Sequence, residues 1–220
     1  MKLRLALVAA ALAASGMAHS ATIDWNSWSS NTAGSITTGS GPVTVTYGGE
    51  LSGFYPNYPS WGPSSTFADG TIVANAPGPT NGIIYLKGGN GANATVDTVT
   101  FSQAVVNPVF SIWSLGQGGD TASFNFIGAT PVFVVGGPGA EYGGQSITVS
   151  GNDVFGTEGD GTVEFVGTYT SISWTNPTFE NWYGFNVGVA GTAAVPEPGS
   201  VGLMLAGLTL LGLALRRKVR

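Results

Sequence analysis

Residues 95–113 read TVDTVTFSQAVVNPVFSIW. In the first part of this stretch, polar and apolar residues alternate, which places Val99 and Phe101 on the same face of an extended chain. The run from Pro108 to Trp113 is again rich in β-branched and aromatic residues, which are typical of strands. The stretch therefore predicts two short strands, 95–101 and 108–113.

Similar runs recur along the chain, separated by segments rich in glycine, asparagine and proline. They lie at residues 43–47, 83–86, 122–126, 132–135, 147–149, 162–166, 169–174 and 182–189. The segments Gly88–Gly91, Gly118–Asp120 and Glu158–Gly161 carry turn residues and predict hairpin loops. No stretch between residues 22 and 195 shows a helical apolar stripe longer than two turns. This pattern predicts an all-β domain, a jelly-roll-like antiparallel β-sandwich over residues 22–194.

The aromatic residues of this body fall into two groups. Phe124, Phe126, Trp174 and Phe185 lie in alternating runs, and we expect them in the core. Other rings lie outside clear strands, above all in the segment from Phe54 to Pro63, whose prolines predict a surface loop. Tyr55, Tyr58 and Trp61 in this loop are candidate glycan contacts, because sugars bind flat aromatic faces flanked by amides. The alternative is that these rings cap the sandwich core.

The N-terminus has the layout of a secretory signal peptide, which we assign to residues 1–21. Lys2 and Arg4 precede an apolar run from Leu5 to Ala14, and small residues follow. The apolar run is about half the length that crosses a bilayer, roughly 20 residues. We expect signal peptidase to cut between Ala18 and Thr22, so the chain is exported.

The C-terminus combines three elements in order: the motif Pro196-Glu197-Pro198, an apolar run, and a basic tail with Arg216, Arg217, Lys218 and Arg220. Residues 195–220 resemble the PEP-CTERM sorting signal. The run at about 199–215 predicts one transmembrane helix of near-minimal length, and the basic tail of residues 216–220 would hold its end in the cytoplasm.

The resemblance implies that an exosortase, a membrane transpeptidase of Gram-negative bacteria that also make exopolysaccharide, recognises and cuts this signal. The protein would then be held in the inner membrane transiently, before release to the cell surface, outer envelope or extracellular matrix. A permanent single-pass anchor is the alternative. Residues 100–113 are also similar in texture to the jelly-roll or lectin-like bodies that often precede such anchors.

Charge and composition limit the function of the body. It contains one base, Lys87, against eleven acids, a net charge of −10. Nucleic acid is excluded as a partner, because phosphate binding needs clustered lysine and arginine. The chain has no cysteine, and its single histidine, His19, lies in the predicted signal peptide. Serine-histidine and cysteine-histidine catalysis are therefore excluded from the mature body.

These observations favour a non-enzymatic surface or biofilm-matrix protein without a cofactor. A carbohydrate-binding module that acts on exopolysaccharide is the first alternative, and a glycoside hydrolase with paired carboxylates is a distant one. Asp153, Glu158 and Asp160, crowded in one stretch, are weak candidates for calcium ligands, since calcium takes six to eight oxygens.

Overall fold

Fifteen strands account for most of residues 22–192, the part of the chain that the computed structural model describes. The strands are β1 (Asp24–Trp25), β2 (Ser27–Trp28), β3 (Ala33–Thr38), β4 (Gly41–Gly48), β5 (Gly53–Tyr55), β6 (Ile83–Leu86), β7 (Val96–Leu115), β8 (Ala122–Ile127), β9 (Val132–Gly136), β10 (Gln145–Ser146), β11 (Thr148–Ser150), β12 (Asp153–Gly156), β13 (Gly159–Glu164), β14 (Thr168–Thr175) and β15 (Tyr183–Thr192). The helical elements are a single turn, α1 (Ser64–Phe67), and two 3-10 turns, Pro79–Asn81 and Gly91–Asn93.

The predicted signal peptide, transmembrane helix and basic tail lie outside the described residues. Within residues 22–192, no helix is long and apolar enough to cross a bilayer.

The centre of the sheet is β7, a strand of 20 residues that is hydrogen-bonded along both edges. On one edge β13 and β14 pair with it in succession, so the chain from Gly159 to Thr175 runs antiparallel beside it. On the other edge β4 pairs with its first half and β15 with its second half. The two strands predicted for residues 95–113 are therefore one continuous strand.

A change of direction divides β7 at Asn107 and Pro108. Asn107 has a φ of 47°, a left-handed conformation that interrupts the regular pleat. Its side-chain oxygen accepts a hydrogen bond from the Gly167 N–H at 2.9 Å, and its own N–H donates to the Gly167 carbonyl at 2.8 Å. Pro108 lacks an N–H, but its carbonyl accepts a hydrogen bond from Phe165 at 2.9 Å. The two paired chains therefore turn together from one layer into the other.

Two layers result from this turn. The first contains β11, β12, β8, β14, the first half of β7, β4, β3 and β2, in that order. The second contains β13, the second half of β7, β15, β6 and β5, with β9 and β10 beside β13 and β1 beside β15. All pairings are antiparallel except β10 with β13.

The core between the layers is aromatic. Trp174 of β14 meets Phe185 of β15 with ring centroids 5.1 Å apart, and Phe126 of β8 meets Phe165 at 4.7 Å. Phe110 of β7 lies against both Trp174 and Phe126. The four predicted core rings are all buried, and Phe126, the most accessible of them, is 4% exposed. The predictions of an all-β sandwich and of this core are confirmed.

The chain between β5 and β6 covers the outer face of the second layer. Tyr58, Trp61 and Phe67 pack there against Ile83 of β6 and Trp113 of β7. The segment 54–63 is thus a loop after Tyr55, as predicted, but its first residues belong to the short edge strand β5. Its prolines lie outside β5, because proline has no N–H to donate to a neighbouring strand.

The predictions of hairpins at Gly88–Gly91, Gly118–Asp120 and Glu158–Gly161 are wrong, because the two strands that flank each segment do not pair with each other. Gly159 already begins β13, which pairs with both β7 and β10. Glycine in a strand allows neighbouring backbones to approach closely, and that is its use here, because a side chain at Gly161 would collide with the backbone of β9.

Replacement of Phe126 by alanine tests the core. The change leaves a cavity between the layers, and we expect the free energy of unfolding to fall by about 3–5 kcal/mol. Phe133→Ala is the matched control, since Phe133 on β9 is 44% exposed and we expect a change below about 1 kcal/mol. Urea unfolding of the full-length protein measures both, and equal effects of the two substitutions would contradict the assignment of the core.

Candidate functional site

An open cavity with a volume of about 400 Å³ lies beside the second layer, lined by Tyr55, Tyr58, Trp113, Glu141, Tyr142 and Trp182. A second cavity of about 200 Å³ shares Tyr142 and Trp182 with it. Ser114, Gln117, Glu158, Glu180 and Asn181 complete its lining. The two cavities together are called the aromatic cleft below.

Three rings cluster on one side of the cleft, with Tyr55 and Trp182 6.3 Å apart. Tyr55 of β5 lies beside Tyr85 of β6 with centroids 5.3 Å apart and planes at 25°. Tyr85 in turn lies 5.7 Å from Trp182, with planes at 20°. The strand pairing places Gly53 opposite Tyr85, and a side chain at Gly53 would collide with that ring. Glycine at this position therefore lets Tyr85 lie flat across β5.

The inner wall of the cleft is made by Tyr58 and Trp113. Their rings meet edge to face at 5.4 Å, and Trp113 meets Trp182 in the same way at 4.6 Å. Because each ring is held by two or more others, the wall is rigid before any ligand arrives.

A glycine-rich loop after β9 carries Glu141 and Tyr142 to the rim. Both side chains are exposed, and Tyr142 is 73% exposed although its ring contacts Trp113 at 5.8 Å. The loop is held from two sides: Thr66 donates a hydrogen bond to the Pro138 carbonyl at 2.7 Å, and the Ser60 hydroxyl donates to Glu141.

Two buried carboxyls lie beneath this loop at the end of β7. Asp160 accepts a hydrogen bond from the Ser114 N–H at 2.9 Å, and Glu180 accepts one from the Gly116 N–H at 2.7 Å. Burial raises the pKa of Asp160 to about 7 and the pKa of Glu180 to about 8, and the nearby Glu158 adds to both shifts. Glu158 accepts a hydrogen bond from the Ser114 hydroxyl at 2.8 Å. Ser114 thus links Glu158 to Asp160.

The candidate glycan contacts take different positions in the structure. Tyr55 is 46% exposed and lines the larger cavity, whereas Tyr58 is buried in the wall. The prediction for Trp61 is corrected: its ring is buried against Phe67, its indole N–H donates to the Gly82 carbonyl, and it does not line the cleft. Trp61 therefore fits the alternative interpretation, in which the rings of this loop cap the core.

Other cleft residues lie far from the loop 54–63 in sequence. The residues that were not predicted are Tyr85, Trp113, Glu141, Tyr142 and Trp182. Only Glu141 and Tyr142, in a glycine-rich segment, carried a local signal of exposure. The others appear within strand-like runs, and their convergence depends on the pairing of β5, β6, β7 and β15.

The calcium candidates are divided between the two layers. Asp153 lies on β12 in the first layer, whereas Glu158 and Asp160 lie beside β7 in the second. Among residues 22–192, no group of three or more histidine, cysteine, aspartate or glutamate side chains is arranged to hold a metal ion. Calcium binding stays an untested prediction.

A third cavity, of about 150 Å³, is lined by Glu50, Asp97, Asn176 and the backbone of Gly88 and Gly89. Glu50 accepts hydrogen bonds from the N–H groups of Lys87 and Gly88, at 2.7 and 2.8 Å. Asp97 accepts from the Tyr47 hydroxyl at 2.8 Å and from the Glu50 N–H at 2.6 Å. These carboxyls tie β4, β6 and β7 together, which is a structural role.

Comparison with known proteins assigns the C-terminus. Residues 194–218 match the family model described as the PEP-CTERM protein-sorting motif. The chain therefore carries this motif, as the resemblance indicated. No significant match was found among curated proteins or solved structures.

The buried acids predict how stability depends on pH. In the folded protein, Glu180 and Asp160 keep their protons at pH values above their ordinary pKa values of 4.5 and 3.8. The stability that these protons contribute is fully present below pH 3.8 and is lost as pH rises through the folded-state pKa values of about 7 and about 8. We therefore expect the free energy of unfolding to fall by on the order of a few kcal/mol between pH 5 and pH 9.

Glu180→Gln, which keeps the shape of the neutral carboxyl, reduces this loss, and Asp153→Asn leaves it unchanged. Urea unfolding at several pH values measures the effect. A stability that rises with pH over this range contradicts the prediction.

Proposed function

We propose that this chain, which carries a PEP-CTERM sorting motif, is a non-enzymatic surface or biofilm-matrix protein whose body binds polysaccharide in the aromatic cleft. The motif supports export, membrane-anchored sorting and exosortase processing. Release to the outer envelope or matrix of a Gram-negative bacterium, after cleavage at the C-terminus, is part of this proposal.

The observation that carries the glycan proposal is the cluster of Tyr55, Tyr85 and Trp182 beside an open cavity, which Tyr55 and Trp182 line. Parallel rings offer apolar faces to the C–H faces of sugar rings, and the volume of about 400 Å³ falls in the range of small-ligand sites. Asn181, Gln117 and Glu141 stand beside the rings and supply donors and acceptors for hydroxyl groups. Surface loops of a rigid β-sandwich carry such sites well.

Hydrolysis is a second candidate because Glu158 and Glu180 line the same cavity. Burial of Glu180 keeps it protonated near neutral pH, as a general acid requires. However, Glu180 is 2% exposed and bound to the N–H of Gly116, so its carboxyl is held inside the protein. The test is whether the protein releases reducing ends from the host's exopolysaccharide. If it does, and if Glu180→Gln abolishes the release, the function is hydrolysis and not binding alone.

Substitutions on the cleft test the binding proposal. Tyr55→Ala with Tyr142→Ala removes two exposed rings, and we expect retention on the host's exopolysaccharide to fall about tenfold or more at an unchanged melting temperature. Phe179→Ala is the matched control, because Phe179 is 59% exposed and does not line the cleft. Equal retention of the double variant and the control would overturn the proposal.

Sorting is tested at the motif Pro196-Glu197-Pro198. From the sequence, we expect the two prolines to favour an extended backbone that a membrane-embedded enzyme can reach, and Glu197 is the single charge of the segment. We expect protein from the native host to end near residues 196–199, and replacement of the three residues by alanine to trap the full-length form in the inner membrane. Intact mass spectrometry measures this, with signal-peptide removal as the control for export. A native mass that includes Arg220 would mean a permanent anchor.

A further inference from the structure

The aromatic cleft is acidic and has no positive charge of its own. Glu141 stands on its exposed rim and Glu158 lines its smaller cavity, whereas burial raises the pKa of Glu180 to about 8 and of Asp160 to about 7, so that both hold protons at pH 6. Lys87 is the only lysine or arginine between residues 22 and 192, and it lines neither cavity. Polymers of uronic acids or phosphates would therefore meet only like charge here, which costs affinity.

The cleft also contains two polar atoms that lack a protein partner. The Tyr58 hydroxyl and the Trp113 indole N–H are both buried, and neither makes a hydrogen bond within the described residues. Tyr58 is 7% exposed and Trp113 is 1% exposed, yet both side chains line the larger cavity. A buried donor without a partner costs about 1–3 kcal/mol. A ligand hydroxyl that reached either atom would remove this cost, so the pair is an observation, independent of the acids, that points to a ligand.

We propose that the ligand of the aromatic cleft is an amino sugar polymer with free ammonium groups. This inference rests on the proposed glycan binding and names its chemical class. The ammonium groups pair with Glu141 and Glu158, the sugar hydroxyls reach Tyr58 and Trp113, and the sugar faces lie on Tyr55 and Trp182. An ammonium group next to these rings also gains cation–π attraction.

Neutral glycans fit this cleft less well. They would use the ring faces equally, but they would cover Glu141 and Glu158 without pairing their charges, and desolvation of an unpaired carboxylate is costly. The acids therefore act as the element that separates amino sugars from their N-acetylated forms, which have the same ring and no charge.

Two oligosaccharides of equal length test the inference with the full-length protein: the hexamer of glucosamine and the hexamer of N-acetylglucosamine. At pH 6 and low salt, we expect titration calorimetry to show at least tenfold tighter binding of the glucosamine hexamer. Glu141→Gln with Glu158→Gln should reduce this preference to less than threefold. Asp153→Asn, which removes an acid outside the cleft, should leave it unchanged.

The outcomes separate the inference from the proposal on which it rests. Equal binding of both hexamers, weakened by Tyr55→Ala, would overturn the amino sugar preference and keep glycan binding. Glucosamine binding that Tyr55→Ala does not weaken would mean general attraction to an acidic surface and would also overturn the inference. Failure of both hexamers and of the host's exopolysaccharide to bind would overturn the glycan proposal itself.

Discussion

Both edges of a single long strand are occupied, and the rest of the domain is arranged around that constraint. β7 is paired along one edge with the chain from Gly159 to Thr175 and along the other with β4 and β15. Because side chains alternate between faces, a slip of one residue in any of these pairings would turn core rings outward. The hydrogen bonds around Asn107 and Gly167 fix where the strand leaves one layer for the other. The layers are thereby held face to face by backbone bonds as well as by their aromatic core.

The same strand places the groups of the aromatic cleft. Trp113 points to the outer face of the second layer, and the N–H groups of Ser114 and Gly116 hold Asp160 and Glu180 beside it. Hydrogen bonds from these N–H groups replace the hydrogen bonds to water that burial removes. The carboxyls can therefore lie inside the protein although the body has only one base with which to pair them. Tyr55, Tyr85 and Trp182 then approach from β5, β6 and the start of β15. The cleft is therefore built at the place where the end of β7 meets the covering loop.

Local patterns in the sequence predicted most of the strands but few of the residues of the aromatic cleft. The alternation at residues 43–47 and the short apolar run at Ile83–Leu86 were enough to predict β4 and β6, because the first buries one face and the second buries both. β3, with the sequence AGSITT, escaped prediction because it carries one large apolar side chain, Ile36. The segment Glu158–Gly161 was wrongly predicted to be a hairpin loop, because in the sequence a glycine that allows close contact between strands looks the same as one that allows a turn. Tyr85 and Trp182 meet through pairing between distant strands, which no local pattern reports.

Lys87 has a consequence for resistance to proteolysis. It is the only site between residues 22 and 192 at which a protease specific for lysine and arginine cuts. The peptide bond that follows it is tied on both sides: the N–H groups of Lys87 and Gly88 donate to Glu50, and the Lys87 carbonyl accepts from the Glu180 N–H at 2.7 Å. Such a protease needs several residues in an extended, detached conformation, which here requires opening of the surrounding sheet. The described part of the chain thus offers such a protease a single bond, and the surrounding sheet protects that bond without the help of a disulfide.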